Sequence, residues 1–408
     1  MTLAVLSPGP RTNWPLTRGF ELGCVALCIG QAMYLAASFV QGQWLADPSG
    51  QPIATDFVNV WTAGRQALAG EPAAVYDVTL HKAAEVATVG HDFNGEYPWL
   101  YPPIFLFVAA SLALLPYVTA AAVWLALTFP AYLMVVRAIV RHRAGILLAC
   151  AYPGLLANAV VGQNGFLSAA LLGGALLLLQ GSPVMAGCLI GLLAFKPHLG
   201  ILLPIVLVAG GHWRAIAAAT ATLALLALSS WIAFGPDAWA AFFQSLPTAS
   251  QSTLELGRAE WGKLQSAYGV MRMMGGASAI GASAIAWAVQ GVLAGAVAAA
   301  LAALWRSKAP FDLKAAALAA GTLLVVPYIF LYDLVILAVA MAFLLRACGE
   351  AGPTPGEMRA LAIAGLLIVI FPLVKAPTGL AATMVVALLI IRRAGLMPAR
   401  LGSSSLRA

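Results

Sequence analysis

Long apolar runs joined by short basic turns constrain this chain more than any other feature. The run from Phe20 to Val40 carries one charge, Glu21, and the stretch from Tyr117 to Val136 carries none. Runs of 18 or more apolar residues are the mark of helices that cross a bilayer. The whole chain agrees: of its 408 residues 62% are hydrophobic and only 9% charged, and the mean hydropathy is +0.91. A soluble globule carries about a quarter charged residues, so lipid is the expected solvent. At roughly 20 residues per crossing, the sequence predicts an all-α polytopic transmembrane protein of about ten to twelve helices. It reads as one membrane domain over residues 1–400, with outer-face loops at about 41–103 and 235–276 and a disordered tail at 401–408.

Charge sets the expected orientation. Twenty-two Lys and Arg stand against 15 Asp and Glu, a net +7, but the cations are scattered in ones and twos between apolar runs, which excludes nucleic acid as a partner. Basic turns recur at Arg137, Arg141 and Arg143, at Arg214, at Arg306 and Lys308, and at Arg392 and Arg393. Cytoplasmic loops collect such residues. The first long interruption instead holds Asp47, Asp56, Glu71, Asp77, Glu85, Asp92 and Glu96 against Arg65 and Lys82, and is expected outside. The start, with Arg11 and Arg18 before the first run, reads as a retained helix rather than a cleaved signal. Tyr101 to Arg137, interrupted at Leu115-Pro116, is too long for one crossing, while two would place Arg141 and Arg143 outside; either Ile104–Leu115 is re-entrant or one later short run is not a span.

Residue chemistry narrows the function further. No GxxxxGK[ST], no strand-borne GxGxxG and no Asp-x-Asp on an outer loop is present, so a soluble nucleotide-sugar site is not expected. His81 and His91 lack a metal-ligand spacing, and Cys24, Cys28, Cys150, Cys188 and Cys348 form no CxxC, so neither metal, cofactor nor disulfide framework is indicated. GxxxG at Gly187–Gly191 and at Gly291–Gly295 reads as helix packing.

Four charged residues are not explained by orientation: Asp56, Lys196, Asp333 and Lys375. Asp56 opens an amphipathic segment, with Phe57, Trp61, Gly64 and Leu68 on one side and Asn59, Thr62 and Gln66 on another, expected to lie along the membrane surface. Asp56 reads either as a helix cap or as a general base. Lys196, beside Pro197 and His198, reads either as a phosphate ligand or as a snorkelling anchor. Lys375 shares that ambiguity. Asp333, after Tyr332, either faces a cavity, pairs with Lys196 or Lys375, or ends a helix.

Asp56-Phe57, Gly70, Tyr76-Asp77, Tyr101-Pro102-Pro103, Leu115-Pro116 with Trp124, Gly162-Gln163, Lys196-Pro197 and Pro327-Tyr328 leading to Tyr332-Asp333-Leu334 follow one another in an order that resembles glycosyltransferase family 87. This family of GT-C-type membrane enzymes includes polyprenol-phosphate-mannose-dependent mannosyltransferases. The resemblance implies inverting transfer of a sugar from a polyprenyl-phosphate donor to a lipid or glycan acceptor, at the outer face of a bacterial cytoplasmic membrane. By it, Asp56 matches the base, and Lys196 the family's Lys-Pro. Lys196, His198 and Arg258 are then the candidate phosphate ligands, with Tyr101, Gln163, Tyr332, Asp333 and Lys375 as further candidate substrate contacts. The chain departs from mycobacterial-type relatives, which carry His near Tyr332-Asp333. A transporter or flippase for an anionic lipid or polyol is the other reading that the helix number and Lys196 allow.

Overall fold

A computed structural model of the chain describes residues 17–95, 97–142, 144–275 and 280–396; the tail at 401–408 and Arg11 lie outside them. Among the described residues there is no strand, only isolated bridges joining Trp44 to Ala46 and Ala46 to Pro52. The protein is an all-α polytopic membrane protein. Among the described residues five helices are long and apolar enough to cross a bilayer, spanning Arg18–Val40, Tyr117–Val140, Trp213–Glu255, Ala282–Arg306 and Thr378–Gly395. Other apolar segments are shorter, among them Pro103–Ala113, Gly165–Leu178, Pro183–Phe195 and Pro197–Ala209. Each is cut where the sequence places Gly or Pro.

In chain order the helices are α1 (Arg18–Val40), α2 (Asp56–Leu68), α3 (Val78–Val89), α4 (Leu106–Ala113), α5 (Tyr117–Val140), α6 (Gly145–Ala151), α7 (Gly154–Val161), α8 (Gly165–Leu178) and α9 (Pro183–Leu192). They continue as α10 (Leu203–Ala209), α11 (Trp213–Ser250), α12 (Ala267–Gly275), α13 (Ile280–Arg306), α14 (Phe311–Val325), α15 (Val335–Ala347), α16 (Pro355–Val369), α17 (Phe371–Val374) and α18 (Thr378–Leu396). The most buried pair is α14 and α15, in which about three quarters of the residues are buried. By contrast α1 buries only Cys24 and Gln31. It is tied to α6 by Gln31 Nε2 donating to the Cys150 carbonyl at 3.1 Å.

Two segments are more tightly built than their sequence suggests. Helix α2 is packed between protein partners on both sides. Its apolar side packs on α4, so closely that a Cβ at Gly64 would strike the Ala109 carbonyl, and its polar side is covered by α3, where Thr62 donates to Thr88 Oγ1 at 3.0 Å. Amphipathicity here reflects an apolar and a polar protein partner rather than lipid and water. The stretch from 235 onward is also mainly helical: α11 passes Gly235, kinked there at φ 79° and ψ 166° before Pro236, and runs to Ser250. Helix α4 has eight residues, which rise about 12 Å, too little to cross a bilayer.

No disulfide forms, since all five cysteines are free. The two GxxxG pairs differ. A Cβ at Gly187 would meet the Ala215 carbonyl and Ala218, and one at Gly191 would meet Thr222, so α9 and α11 touch through them; at Gly291 and Gly295 nothing lies within 4 Å. Gly191→Leu is therefore expected to cost about 1–3 kcal/mol by overpacking, and Gly291→Leu to leave stability unchanged. Thermal unfolding of the purified protein in detergent measures both.

Candidate active site

Three breaks in the helical scaffold converge beside the start of α2. The first lies between α7 and α8, where Gly162 ends α7 with φ 67°. A Cβ there would press 2.8 Å from Phe57 Cβ, so the turn sits directly against the residue after Asp56. Three residues on, a Cβ at Gly165 would strike the Tyr332 carbonyl. This places the third break, Val326 to Leu334 between α14 and α15, against the same turn. The second break is Lys196-Pro197, where the chain leaves one 3₁₀ turn and enters another. Small residues at 162 and 165 thus let three backbones meet where side chains of any size would hold them apart.

From those breaks the polar side chains assemble into one network. Asp56 occupies the first position of α2, behind Thr55, and its Oδ1 accepts from Gln163 Nε2 at 3.1 Å. Gln163 Oε1 in turn accepts from the Tyr101 hydroxyl at 3.0 Å and from the Asn164 backbone N–H at 2.9 Å. Asn164 Nδ2 donates to the Tyr101 oxygen at 2.9 Å. The orientation of the Gln163 amide is therefore dictated on its oxygen side, which leaves its nitrogen to meet the Asp56 carboxylate. Asp56 is more than a cap: Thr55 holds the cap position, and the carboxylate points to the turn after α7. Burial raises its pKa from 3.8 to about 6, opposed by the Gln163 hydrogen bond and the Lys196 charge.

Lys196 resolves differently from the anchor reading. It is 4% exposed and Asp333 is 1% exposed, with Lys196 Nζ 2.6 Å from Asp333 Oδ1. A snorkelling ammonium would reach water; this one is closed inside the protein and paired. Asp333 Oδ2 also accepts from the Phe330 N–H at 3.1 Å. The Lys196 ammonium lies 5.1 Å from the Tyr332 ring centre, and His198 meets Tyr328 edge to face at 5.8 Å. His198 Nε2 is buried with no hydrogen-bond partner, which leaves it available to a ligand.

Asp56, Tyr101, Gln163, Lys196, His198, Arg258, Tyr332 and Asp333 all line a single cavity of ≈ 2340 Å³. Lys375 does not. It is exposed after α17, in a left-handed turn with φ 49°, outside the cavity lining. Small-molecule sites commonly occupy about 300–1,000 Å³, so this space exceeds what one soluble metabolite needs. Its inner part is an apolar groove between α1, α7, α15 and α16, lined by residues such as Leu27, Leu156, Met341 and Leu366. Along α1 it extends from Gly19 to Tyr34, about 22 Å at 1.5 Å per residue. Its other mouth is polar, with Asn94, Arg258, Glu260 and Lys263; Lys263 pairs with Glu260 at 2.7 Å. Among the described residues no three His, Cys, Asp or Glu gather as a metal site.

The sequence reading passed over Asn59 as a surface polar residue and His81 as a failed metal ligand. Both are buried, and Asn59 lines the cavity. The available signal was Asn59 itself, a polar residue inside the apolar run Phe57-Val58-Asn59-Val60-Trp61.

Removing one member of the buried pair strands the other's charge, so Lys196→Met is expected to cost about 3–5 kcal/mol. Lys196→Met with Asp333→Leu should recover most of that loss, because no buried charge is then left unpaired. Thermal unfolding of the two single variants and the double variant is the measurement.

Comparison with protein-family models matches residues 99–327, more than half of the chain, to glycosyltransferase family 87. The matched segment contains Tyr101, Gln163, Lys196, His198 and Arg258; Asp56 precedes it and Asp333 follows it. No curated protein matches the chain, and no solved structure does. The chain belongs to glycosyltransferase family 87.

Proposed function

We propose that this glycosyltransferase transfers a sugar, mannose or another hexose or pentose, with inversion from a polyprenyl-phosphate donor to a lipid or glycan acceptor. The site faces outward from the bacterial cytoplasmic membrane. The observation that carries this reading is the placement of Asp56, held by Gln163, in one cavity with Lys196, where a long apolar groove meets a polar mouth. A donor whose leaving group stays in lipid needs such a groove, and a site with no soluble nucleotide fold needs such a donor. Basic turns and Arg18 at the start of α1 support the reading in which the groove's far end, at Arg359 of α16, is inside and Asp56 outside.

In this mechanism the acceptor hydroxyl approaches Asp56 through the polar mouth. The carboxylate takes its proton while the acceptor oxygen attacks the anomeric carbon from the side opposite the phosphate. The sugar–phosphate bond breaks and its electron pair remains on the phosphate oxygen. Lys196 supplies the positive charge nearest the departing phosphate, joined by His198 Nε2, which has no protein partner, and by Arg258 at the rim. Asp333 holds the ammonium in place; Tyr332 and Tyr101 wall the sugar position. Family membership sets aside the transport reading, and the inner groove offers an apolar chain no track of charged groups along which a phosphate could cross.

A general base acts in its ionised form. With Asp56 at about 6, kcat/KM should rise with pH, level off above about 6, and fall about tenfold per unit below it. Asp56→Asn should remove the plateau and lower transfer by about 10²–10⁴-fold with folding intact. Radiolabelled polyprenyl-phosphate mannose and membrane lipid extract, incubated with purified protein, provide the assay. Full transfer by Asp56→Asn would overturn the assignment. The groove also predicts that a geranyl-phosphate sugar is a poorer donor than a long polyprenyl-phosphate sugar, seen as a higher KM.

A further inference from the structure

From α3, one imidazole touches α2 twice. His81 of α3 is 1% exposed. Its Nε2 lies 2.9 Å from Asn59 Oδ1 and its Nδ1 2.6 Å from the Gln66 side-chain amide. Asn59 and Gln66 are seven residues apart, two turns on one face of α2. Asn59 also donates from Nδ2 to the Pro98 carbonyl at 3.3 Å, and Pro98 and Tyr97 belong to the cavity wall.

Hydrogen-bond inventory puts a hydrogen on Nε2 of the ring. The Pro98 carbonyl only accepts, so the Asn59 amide must turn its nitrogen to Pro98 and its oxygen to His81, and Nε2 must carry hydrogen. Gln66 can present either end of its amide to Nδ1, so one proton suffices. Burial lowers the His81 pKa from 6.5 to about 4, which agrees with a neutral ring. Glu85 Oε1, 3.5 Å from Nε2, lies on the same side as the donated hydrogen.

We infer that His81 is a positioning residue for sugar transfer: through Asn59 and Gln66 it fixes the rotation of α2 about its axis, and through Asn59 and Pro98 it fixes the adjoining cavity wall. Asp56 and Asn59 are three residues apart and line the same cavity. A rotation of α2 that Asn59 permits therefore swings the Asp56 carboxylate away from the acceptor hydroxyl. Helix α2 needs such a clamp, because its apolar contact with α4 resists separation more than it resists small rotations, whereas hydrogen bonds are directional. The inference rests on Asp56 as the base.

The test compares His81→Leu, His81→Gln and Asp56→Asn in the full-length protein, with radiolabelled polyprenyl-phosphate mannose and membrane lipid extract. His81→Leu is expected to lower kcat about 10- to 100-fold with donor KM unchanged, as small misplacement of a base does. His81→Gln keeps one donor and one acceptor at the end of its side chain and is expected to restore most of kcat. A His81→Leu enzyme with wild-type kcat overturns the inference, and so does His81→Gln no faster than His81→Leu. Should His81→Leu fail to fold, His81→Asn replaces it: too short to reach both partners, it should stay slow where His81→Gln is fast, and equal rates overturn the inference. Asp56→Asn separates the two levels. If it transfers sugar at the wild-type rate the base assignment itself fails, whereas if it is inactive and His81→Leu is fully active only the positioning role does.

Discussion

The buried Lys196–Asp333 pair is the interaction around which the rest of the site is organised. Withdrawing two charges from water costs several kcal/mol each unless each finds a close partner, so the pair forces the Lys196-Pro197 break and the break before α15 into contact. Neither break is stable alone in a membrane, because each exposes backbone groups that no intrahelical bond satisfies. The side chains supply the missing partners: Asp333 Oδ2 takes the Phe330 N–H, and the Tyr152 hydroxyl donates to the Leu334 carbonyl at 2.6 Å. Charge and broken helix are thus solutions to each other's cost. Non-helical backbone at this depth is tolerated where it lines a cavity, and here it does.

Glycine sets how near the third break comes. With Gly162 against Phe57 and Gly165 against the Tyr332 carbonyl, the turn that carries Gln163 is pressed between the start of α2 and the Asp333 segment. Gln163 then reads both sides. Its oxygen is occupied by Tyr101 and Asn164, and its nitrogen has only Asp56 left to meet. The acid is therefore held at Oδ1 by a neutral donor. A cationic donor in that place would pull the carboxylate pKa down and weaken it as a base.

Much of this was legible before any coordinates. Hydropathy gave the helical membrane class; the surplus charges picked out Asp56, Lys196 and Asp333; the pairing of Lys196 with Asp333 was among the alternatives for that aspartate. Lys375 was singled out by the same logic, yet it is exposed beyond α17, because a Lys before Ala-Pro marks a helix end equally well inside a cavity or at the surface. Local pattern also misread α2. Periodicity reports that a helix has an apolar and a polar face but not whether the second face meets water or another helix. His81 and Asn59 were missed for that reason: their partners are 22 residues apart in sequence and lie on different helices, so no spacing rule brings them together.

The charge balance of the cavity gives the last constraint. Lys196 is already matched by Asp333, so in the proposed reaction an arriving phosphate would find no spare full charge at that point and would add a negative one beside Asp56. Each additional anion favours the protonated acid, and the donor therefore acts against the ionisation its own reaction needs. Two features of the structure offset this. Arg258 stands at the polar mouth, and His198, on the same lining, has its Nε2 without a hydrogen-bond partner. Under the proposed mechanism, a phosphate held between Lys196 and these groups would draw the ammonium's field away from Asp333 and onto the leaving oxygen, where negative charge grows as the sugar–phosphate bond breaks. Interactions that strengthen only as that bond breaks lower the barrier rather than merely tightening the ground state. A pre-formed ion pair that the substrate partly takes over is well suited to that, because its orientation is already fixed before the donor arrives.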